Sequence, residues 1–143
     1  MREKKIKKEK TTSYKFAISL TMFPFEIYFS IGENDKKFKK GIKKYLYKED
    51  YKSLKKVDEE VFTFSSCING RCTHNFKTGH TIVRIREYKT TKDIGTLAHE
   101  IKHAIDYIIW ENIGIKPKLS NVEVFAYAIG YVTERVYEQI YKK

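Results

Sequence analysis

The sequence predicts an α+β fold in which about four mostly antiparallel strands pack with two long helices near the C-terminus. Residues 14 to 31 alternate apolar and polar side chains, which is the period of half-buried strands. Residues 91 to 110 and 120 to 140 repeat apolar side chains every three or four positions, which is the period of helices. With 143 residues and 41% hydrophobic content, the chain can bury the core of one domain.

The first part of the chain is expected to supply a tail and two strands. Residues 1 to 12 predict a basic tail that contributes charge more than fold, and residues 13 to 143 predict a single domain. Residues 14 to 22 and 25 to 31 each alternate in polarity on either side of a short turn. This pattern is typical of two paired, half-buried strands.

A helix and two further strands are expected next. The helix begins at Asn34 or Asp35, either of which can cap it, and it turns apolar side chains inward and lysines outward. Residues 61 to 65 and 81 to 87 have the composition of strands and are joined by a turn-rich stretch. The predicted element order is therefore β-β-α-β-β-α-α.

One motif in the first long helix indicates a chemistry. His99, Glu100 and His103 form an HExxH sequence in an apolar run whose start Thr91 or Asp93 can cap. On a helix, residues four apart lie on one face, so two imidazoles can bind one metal ion while the glutamate reaches a water molecule beside it. This arrangement is typical of zinc hydrolases and predicts one bound zinc ion.

The surroundings of the motif predict a helix with two distinct faces. The two histidines share a stripe with Asp106 and Trp110, roughly opposite an apolar stripe, which predicts a helix buried on both sides. In the alternative interpretation, the histidines are ordinary hydrogen-bonded side chains, and Glu100 and Lys102 are exposed. The apolar stripe that is expected to face a core consists of Ile94, Leu97, Ile101, Ile105 and Ile108.

The second long helix offers a third metal ligand. A catalytic zinc usually has three protein ligands and one position open to water. Glu123 lies in the first turn of this helix, beside its apolar face, and sites made of two histidines and one glutamate favour it as the ligand. In the alternative, Ser120 and Glu123 form a capping box, in which the glutamate only closes the helix start.

These residues resemble the zincin metallopeptidases that use a glutamate as third ligand. The match covers residues 91 to 134, and it rests on HEIxHAxD at His99 to Asp106, on Gly114-Ile115 and on ExFAYxxGY at Glu123 to Tyr131. More narrowly, the chain is similar to small zincin-like proteins encoded by bacteriophages. The HExxHxxD and ExFA elements are also similar to catalytic domains of the anthrax lethal factor type.

The resemblance implies a compact zincin-like domain that hydrolyses peptide bonds. It implies His99, His103 and Glu123 as the zinc ligands and Glu100 as the general base that takes a proton from water. The expected substrate is a protein or a peptide.

Asp106 and Tyr127 are predicted to support the site. Asp106 matches the aspartate that follows the family's motif, and we expect it either to accept a hydrogen bond from a ligand imidazole or to pair with a lysine such as Lys102. Tyr127 matches a family position and, like Tyr131, is a candidate to stabilise the oxyanion.

The strand over residues 81 to 87 occupies the place, just before the motif helix, of the edge strand that lies beside the cleft in zincins. An extended peptide is expected to pair with its backbone, which makes Val83, Arg84 and Ile85 the substrate-contacting strand. Arg84 and Arg86 share one face of this strand and suit acidic substrates. Charged side chains also protect exposed strand edges, and we prefer that interpretation.

Composition bounds the partners and the location. A net charge of +11 predicts weak, nonspecific attraction to polyanions, although a solvated lysine-rich face is the preferred interpretation. No run approaches the roughly 18 apolar residues of a membrane span, and the N-terminus lacks the apolar segment of a secretory signal. We therefore expect no membrane partner and a cytoplasmic location, in a host cell if the chain is phage-encoded, with virion association as a further option.

Cysteines and the remaining histidines suggest a second metal site. Cys67, Cys72, His74 and His80 lie close together in turn-rich sequence, but their spacing departs from that of structural zinc sites. We therefore expect Cys67 and Cys72 to be free thiols with no assigned role.

The predicted function is that of a zinc metallopeptidase of phage origin, with virion or other phage proteins as candidate partners. The alternative is a catalytically silent protein that keeps the zincin fold and has a structural or interaction role, with or without metal. The intact Glu100 favours activity.

Overall fold

The computed structural model describes residues 12 to 57, 59 to 64, 68 to 75 and 79 to 142. It confirms the α+β class. None of the helices in these ranges is long and apolar enough to cross a membrane. The elements are β1 (Tyr14–Ser19), β2 (Glu26–Ile31), α1 (Asp35–Tyr45), α2 (Lys48–Val57), a 3-10 helix (Glu59–Phe62), β3 (Gly70–His74), β4 (Thr81–Ile85), α3 (Thr91–Asp106) with a π-helical continuation (Tyr107–Asn112), a short 3-10 helix (Leu119–Asn121) and α4 (Val122–Ile140).

The four strands form one sheet in the order β1-β2-β4-β3. The β1–β2 and β3–β4 pairs are antiparallel, as predicted for most of the sheet, and β2 and β4 run parallel. Parallel neighbours need a long crossover connection, and here the chain between them contains α1, α2 and β3. The sheet therefore ends in β1 on one side and in β3 on the other.

Helices cover both faces of the sheet. Successive side chains of a strand point to opposite faces, so Phe29 packs toward α3 and α4 while its neighbour Tyr28 packs toward α1 and α2. The central strands β2 and β4 are consequently buried on both faces rather than half-buried. The larger cluster, between the sheet and the C-terminal helices, includes Ile27, Phe29, Ile31, Val83, Ile85, Leu97, Ile101, Ile105, Val132 and Val136.

Two predictions between α1 and β4 were wrong. Residues 61 and 62 lie in a 3-10 helix instead of a strand, and residue 65, the end of the predicted strand, falls outside the described residues. Val61 is buried in the cluster beneath α1 and α2, so its apolar side chain packs into the core from a helical turn and not from a strand. Conversely, β3 occupies a stretch predicted to be turn, because pairing with β4 gives a short polar segment the strand conformation.

The start of α3 follows the predicted capping chemistry, one residue earlier than expected. Thr90 is the N-cap, and the Asp93 carboxylate accepts hydrogen bonds from the backbone N–H groups of Lys89 (2.8 Å) and Thr90 (2.9 Å). The buried stripe of α3 then begins at Leu97, since Ile94 in the first turn is exposed.

Candidate metal centre

His99 and His103 lie side by side on the exposed surface of α3. Their Nε2 atoms are 3.0 Å apart, and their rings are nearly perpendicular. Zinc binds imidazole nitrogens at about 2.0–2.1 Å, so two nitrogens on one tetrahedral zinc are separated by about 3.3 Å. A shift of a few tenths of an ångström would therefore let both nitrogens bind one ion, and the donor set fits zinc.

The face that carries these histidines differs from the prediction. We expected α3 to be buried on both sides, but His99, His103 and Trp110 are exposed, and Asp106 is only partly buried. The alternative interpretation was also wrong in one respect, because Glu100 is buried. Imidazole nitrogens on an exposed helix face are accessible to an ion and to other molecules.

Glu100 lies beneath the edge strand β3. Its Cγ would be 3.1 Å from a Cβ atom at Gly70, so it is in close contact with that strand. Burial raises the pKa of the Glu100 carboxyl above its ordinary value, an effect that the two neighbouring histidines and Arg71 partly oppose. A carboxylate with a raised pKa is a better proton acceptor, as a general base requires.

Gly70 permits this close approach. A Cβ atom there would meet Thr96 Cγ2 at 2.7 Å as well as Glu100 at 3.1 Å, which is too close for an unperturbed side chain. The absence of a side chain at Gly70 therefore lets β3 pack directly on the motif helix. The sequence suggested only a turn at this glycine.

An aromatic stack extends the site toward the end of β3. The His74 ring stacks on Tyr107, with centroids 5.5 Å apart and planes within 9°, and the Tyr107 ring is 6.5 Å from that of His103. His74 Nε2 donates to Asn112 Oδ1 (3.1 Å), so its Nδ1 accepts from the Thr81 hydroxyl at 2.7 Å. Burial lowers the pKa of His74, which favours its neutral form.

The π-helical turn after α3 positions this stack. Residues Tyr107–Asn112 wind more widely than an α-helix, and the turn ends where Gly114, with φ of 84°, donates to the Trp110 carbonyl at 3.0 Å. Sequence reasoning missed Tyr107, His74 and Asn112 as neighbours of the motif. The available signal was the position of Tyr107 one turn after His103, whereas a change of helix type leaves no clear trace in composition.

Glu123 is exposed in the first turn of α4. The alternative capping box is not formed, because Ser120 lies in the preceding 3-10 helix and the N-cap residue is Asn121, whose amide donates to the Lys116 carbonyl. Among the described residues, no three His, Cys, Asp or Glu side chains are grouped so that they could hold a metal ion. The structure thus brings His99, Glu100 and His103 together, and Glu123 as third ligand stays a prediction.

Asp106 and Tyr127, which were predicted to support the site, lie in different places. Asp106 accepts a hydrogen bond from Lys102 Nζ at 2.5 Å, which is the second of the roles considered for it. Tyr127 is exposed and lines a small recess with the turn between β1 and β2, a recess that Tyr131 also borders. Its predicted part in oxyanion stabilisation stays a prediction.

The predicted substrate strand was placed wrongly. Val83, Arg84 and Ile85 lie in β4, which is paired with β2 on one side and β3 on the other and is fully buried. Its backbone hydrogen bonds are therefore already satisfied within the sheet. The strand at the edge, and next to the motif helix, is β3.

The second metal site receives no support from the described residues. Cys72, on β3, is a free cysteine, and burial raises the pKa of its thiol well above the ordinary value. His74 is engaged by Thr81 and Asn112, as described above, and Cys67 lies outside the described residues. The expectation of free thiols is thus met at Cys72.

Comparison with protein-family models, with curated proteins and with solved structures found no match to this chain. Its function must therefore be inferred from the side chains of α3 and β3 themselves.

Proposed function

We propose that this protein is a zinc-dependent metallopeptidase. The observation that carries the proposal is the convergence of His99 Nε2 and His103 Nε2 to 3.0 Å on an exposed helix face, with buried Glu100 between them in the sequence. An HExxH helix packed beneath an edge strand supplies, in one place, two metal ligands, a base and a strand edge for a peptide.

His99 and His103 would hold the ion, and Glu123 is the candidate for the third ligand. Zinc in such a site acts as a Lewis acid that polarises a carbonyl group and lowers the pKa of water. The exposure of the two imidazoles leaves room for a substrate carbonyl beside them.

Glu100 would act as general base and then as general acid. One oxygen of its carboxylate accepts a proton from the attacking water, and the same group can deliver that proton to the leaving amide nitrogen. The burial that raises its pKa strengthens the first of these steps.

β3 would bind the substrate backbone. It pairs with β4 along one side and forms the edge of the four-stranded sheet described here. An extended peptide can add to this edge by main-chain hydrogen bonds, which places its backbone near α3. The protein would act in the cytoplasm of a host cell, and other phage proteins are its candidate partners. The resemblance to phage zincin-like proteins supports both parts of the proposal.

Metal analysis of purified, untagged protein tests the metal site. We expect about one zinc per chain in the wild type and its loss in His103→Ala and Glu123→Ala, because three ligands are needed for tight binding. His80→Gln is the matched control, since it removes a histidine that lies beside Tyr45 of α1 and should keep the metal. Retention of zinc by Glu123→Ala alone would exclude that residue as a ligand.

Peptide cleavage by Glu100→Gln tests the chemistry. The variant should bind zinc normally but cleave peptides at least about 100-fold more slowly, because general base catalysis is lost. Zinc binding with no cleavage by the wild type would favour the silent, structural alternative. Absence of zinc even after reconstitution would refute the enzyme proposal.

A further inference from the structure

An apolar groove lies between the C-terminal half of α3, with its π-helical continuation, and the beginning of α4. We refer to it as the α3–α4 groove, and it encloses about 510 Å³. This volume is within the range of pockets that bind small ligands. Its apolar lining includes Trp110, Leu119, Val122, Phe125, Ala126 and Ile129.

The α3–α4 groove leaves large apolar side chains exposed to water. Leu119 is 93% exposed and Trp110 is 43% exposed, although both border the same cavity. Contiguous apolar surface of this kind commonly marks a binding site. A ligand that filled the cavity would remove both side chains from water.

The charges at the rim indicate which ligands fit. Lys102 and Asp106 neutralise each other across 2.5 Å, and Lys118 adds one positive charge. A charged side chain entering the groove would lose its hydration without gaining a partner on the apolar floor. Uncharged apolar side chains are therefore favoured, and lysine or arginine is the least suitable.

The groove is continuous with the candidate metal centre. Asp106 and Trp110 border it and continue the helix stripe of His99 and His103. Lys102, directly before His103, also borders the groove, and the α-helical rise of about 1.5 Å per residue places Asp106 roughly 4.5 Å beyond His103 along the helix. An extended peptide advances about 3.3 Å per residue, so side chains one to three positions from the bond above His103 can reach it.

We propose that the α3–α4 groove is a specificity pocket that receives a large aliphatic or aromatic side chain of the peptide substrate. This inference rests on the proposed peptidase function and adds a substrate class to it. Ala126 lines the groove, so a larger side chain at this position would occupy part of its volume.

Trp110 provides a direct test that does not depend on cleavage. It is the single tryptophan of the chain, so its fluorescence reports on the groove. We would titrate zinc-reconstituted Glu100→Gln with two blocked hexapeptides of alanine, one with a leucine and one with an aspartate at the third position. The leucine peptide should give a saturable fluorescence change and the aspartate peptide none.

Two matched variants locate the binding. Ala126→Leu, added to Glu100→Gln, should abolish the response. Gly130→Leu should leave it intact, since a Cβ at Gly130 meets no atom within 4 Å and this residue does not line the groove. In the active background, Ala126→Leu should lower kcat/KM for the leucine peptide by about 10- to 100-fold, the range expected for losing burial of one aliphatic side chain.

The outcomes separate this inference from the proposed function. Zinc binding and cleavage that show no preference for leucine, or a response that survives Ala126→Leu, would overturn the pocket and leave the peptidase intact. A fluorescence change that depends on protein concentration without peptide would assign the groove to a second copy of the chain and also overturn the pocket. Absence of zinc would refute the peptidase, whereas the same fluorescence titration of the metal-free protein would still decide whether the groove binds apolar side chains.

Discussion

Arg84 and the pair of His99 and His103 lie on opposite sides of the sheet and differ in burial. On the face covered by α1, the guanidinium of Arg84 is 1% exposed and lies between the rings of Phe38 and Phe64, at 4.1 and 4.3 Å from their centroids. On the face covered by α3, His99 and His103 point into solvent and contact each other. One face uses its cation for structure, and the other leaves its nitrogens available for a ligand.

The difference lies in the partners of each group. Arg84 donates to the carbonyl of Val61 (2.9 Å) and to Asp35 (3.1 Å), so much of its hydrogen-bonding capacity is used inside the protein. Burial lowers the pKa of Arg84, although its charge is retained because arginine is so basic. Burial and perturbed pKa therefore do not identify a functional site unless the group is also accessible.

Removing Arg84 should have the largest effect on stability. Arg84→Ala would leave the Val61 carbonyl without its donor and empty the space between two aromatic rings, at a cost of about 2–4 kcal/mol of unfolding free energy. The ion pair itself contributes little of this, because Asp35 is 45% exposed. Urea unfolding monitored by circular dichroism measures the change.

The same measurement on the other face completes this test. His103→Ala should change stability by no more than about 0.5 kcal/mol in metal-free protein, because its side chain is exposed. Arg86→Ala is the matched control for charge, since this arginine is less buried and donates to the Ile68 carbonyl. Equal losses of unfolding free energy in His103→Ala and Arg84→Ala would show that the histidines are structural, as Arg84 is.

A pair of glycines tests how tightly β3 must pack on α3. Gly70→Ala should cost about 1–3 kcal/mol, because its Cβ would lie 2.7 Å from Thr96 and 3.1 Å from Glu100. Gly95→Ala is the matched control within α3, where a Cβ meets no atom within 4 Å, and it should stabilise the protein by up to about 1 kcal/mol. Thermal unfolding of both variants distinguishes them, and a neutral Gly70→Ala would mean that β3 can move away from the motif helix.

Local patterns predicted the parts of this fold that local interactions determine. The presence of β1 and β2, the alternating exposure along β1, the Asn34 cap of α1 and the stripe from Leu97 to Ile108 were confirmed because each is set within a few residues. β3 was missed because a short polar strand is defined by its partner and not by its own composition.

The candidate site was likewise predictable only where local interactions determine it. The fourfold spacing of His99 and His103 was sufficient to bring their nitrogens together, since a helix does this locally. The position of β4 in the interior of the sheet could not be predicted, because two strands of similar composition can be central or at the edge depending on pairing across the sheet. The burial of Glu100 likewise depends on β3 lying over it, which no spacing within α3 encodes.

The pH dependence of stability should report on the buried His74. Burial lowers the pKa of His74 below the ordinary value of 6.5, so the unfolded chain binds this proton more readily than the folded chain does. The stability that neutral His74 contributes is therefore complete above pH 6.5 and is lost as the pH falls through its folded-state pKa. In metal-free protein, His74→Gln should flatten the decline in unfolding free energy between about pH 7 and 5, because glutamine does not titrate in this range. A decline that persists unchanged in His74→Gln would show that protonation of His74 does not disrupt its contacts with Thr81 and Asn112, and that the stack on Tyr107 tolerates charge.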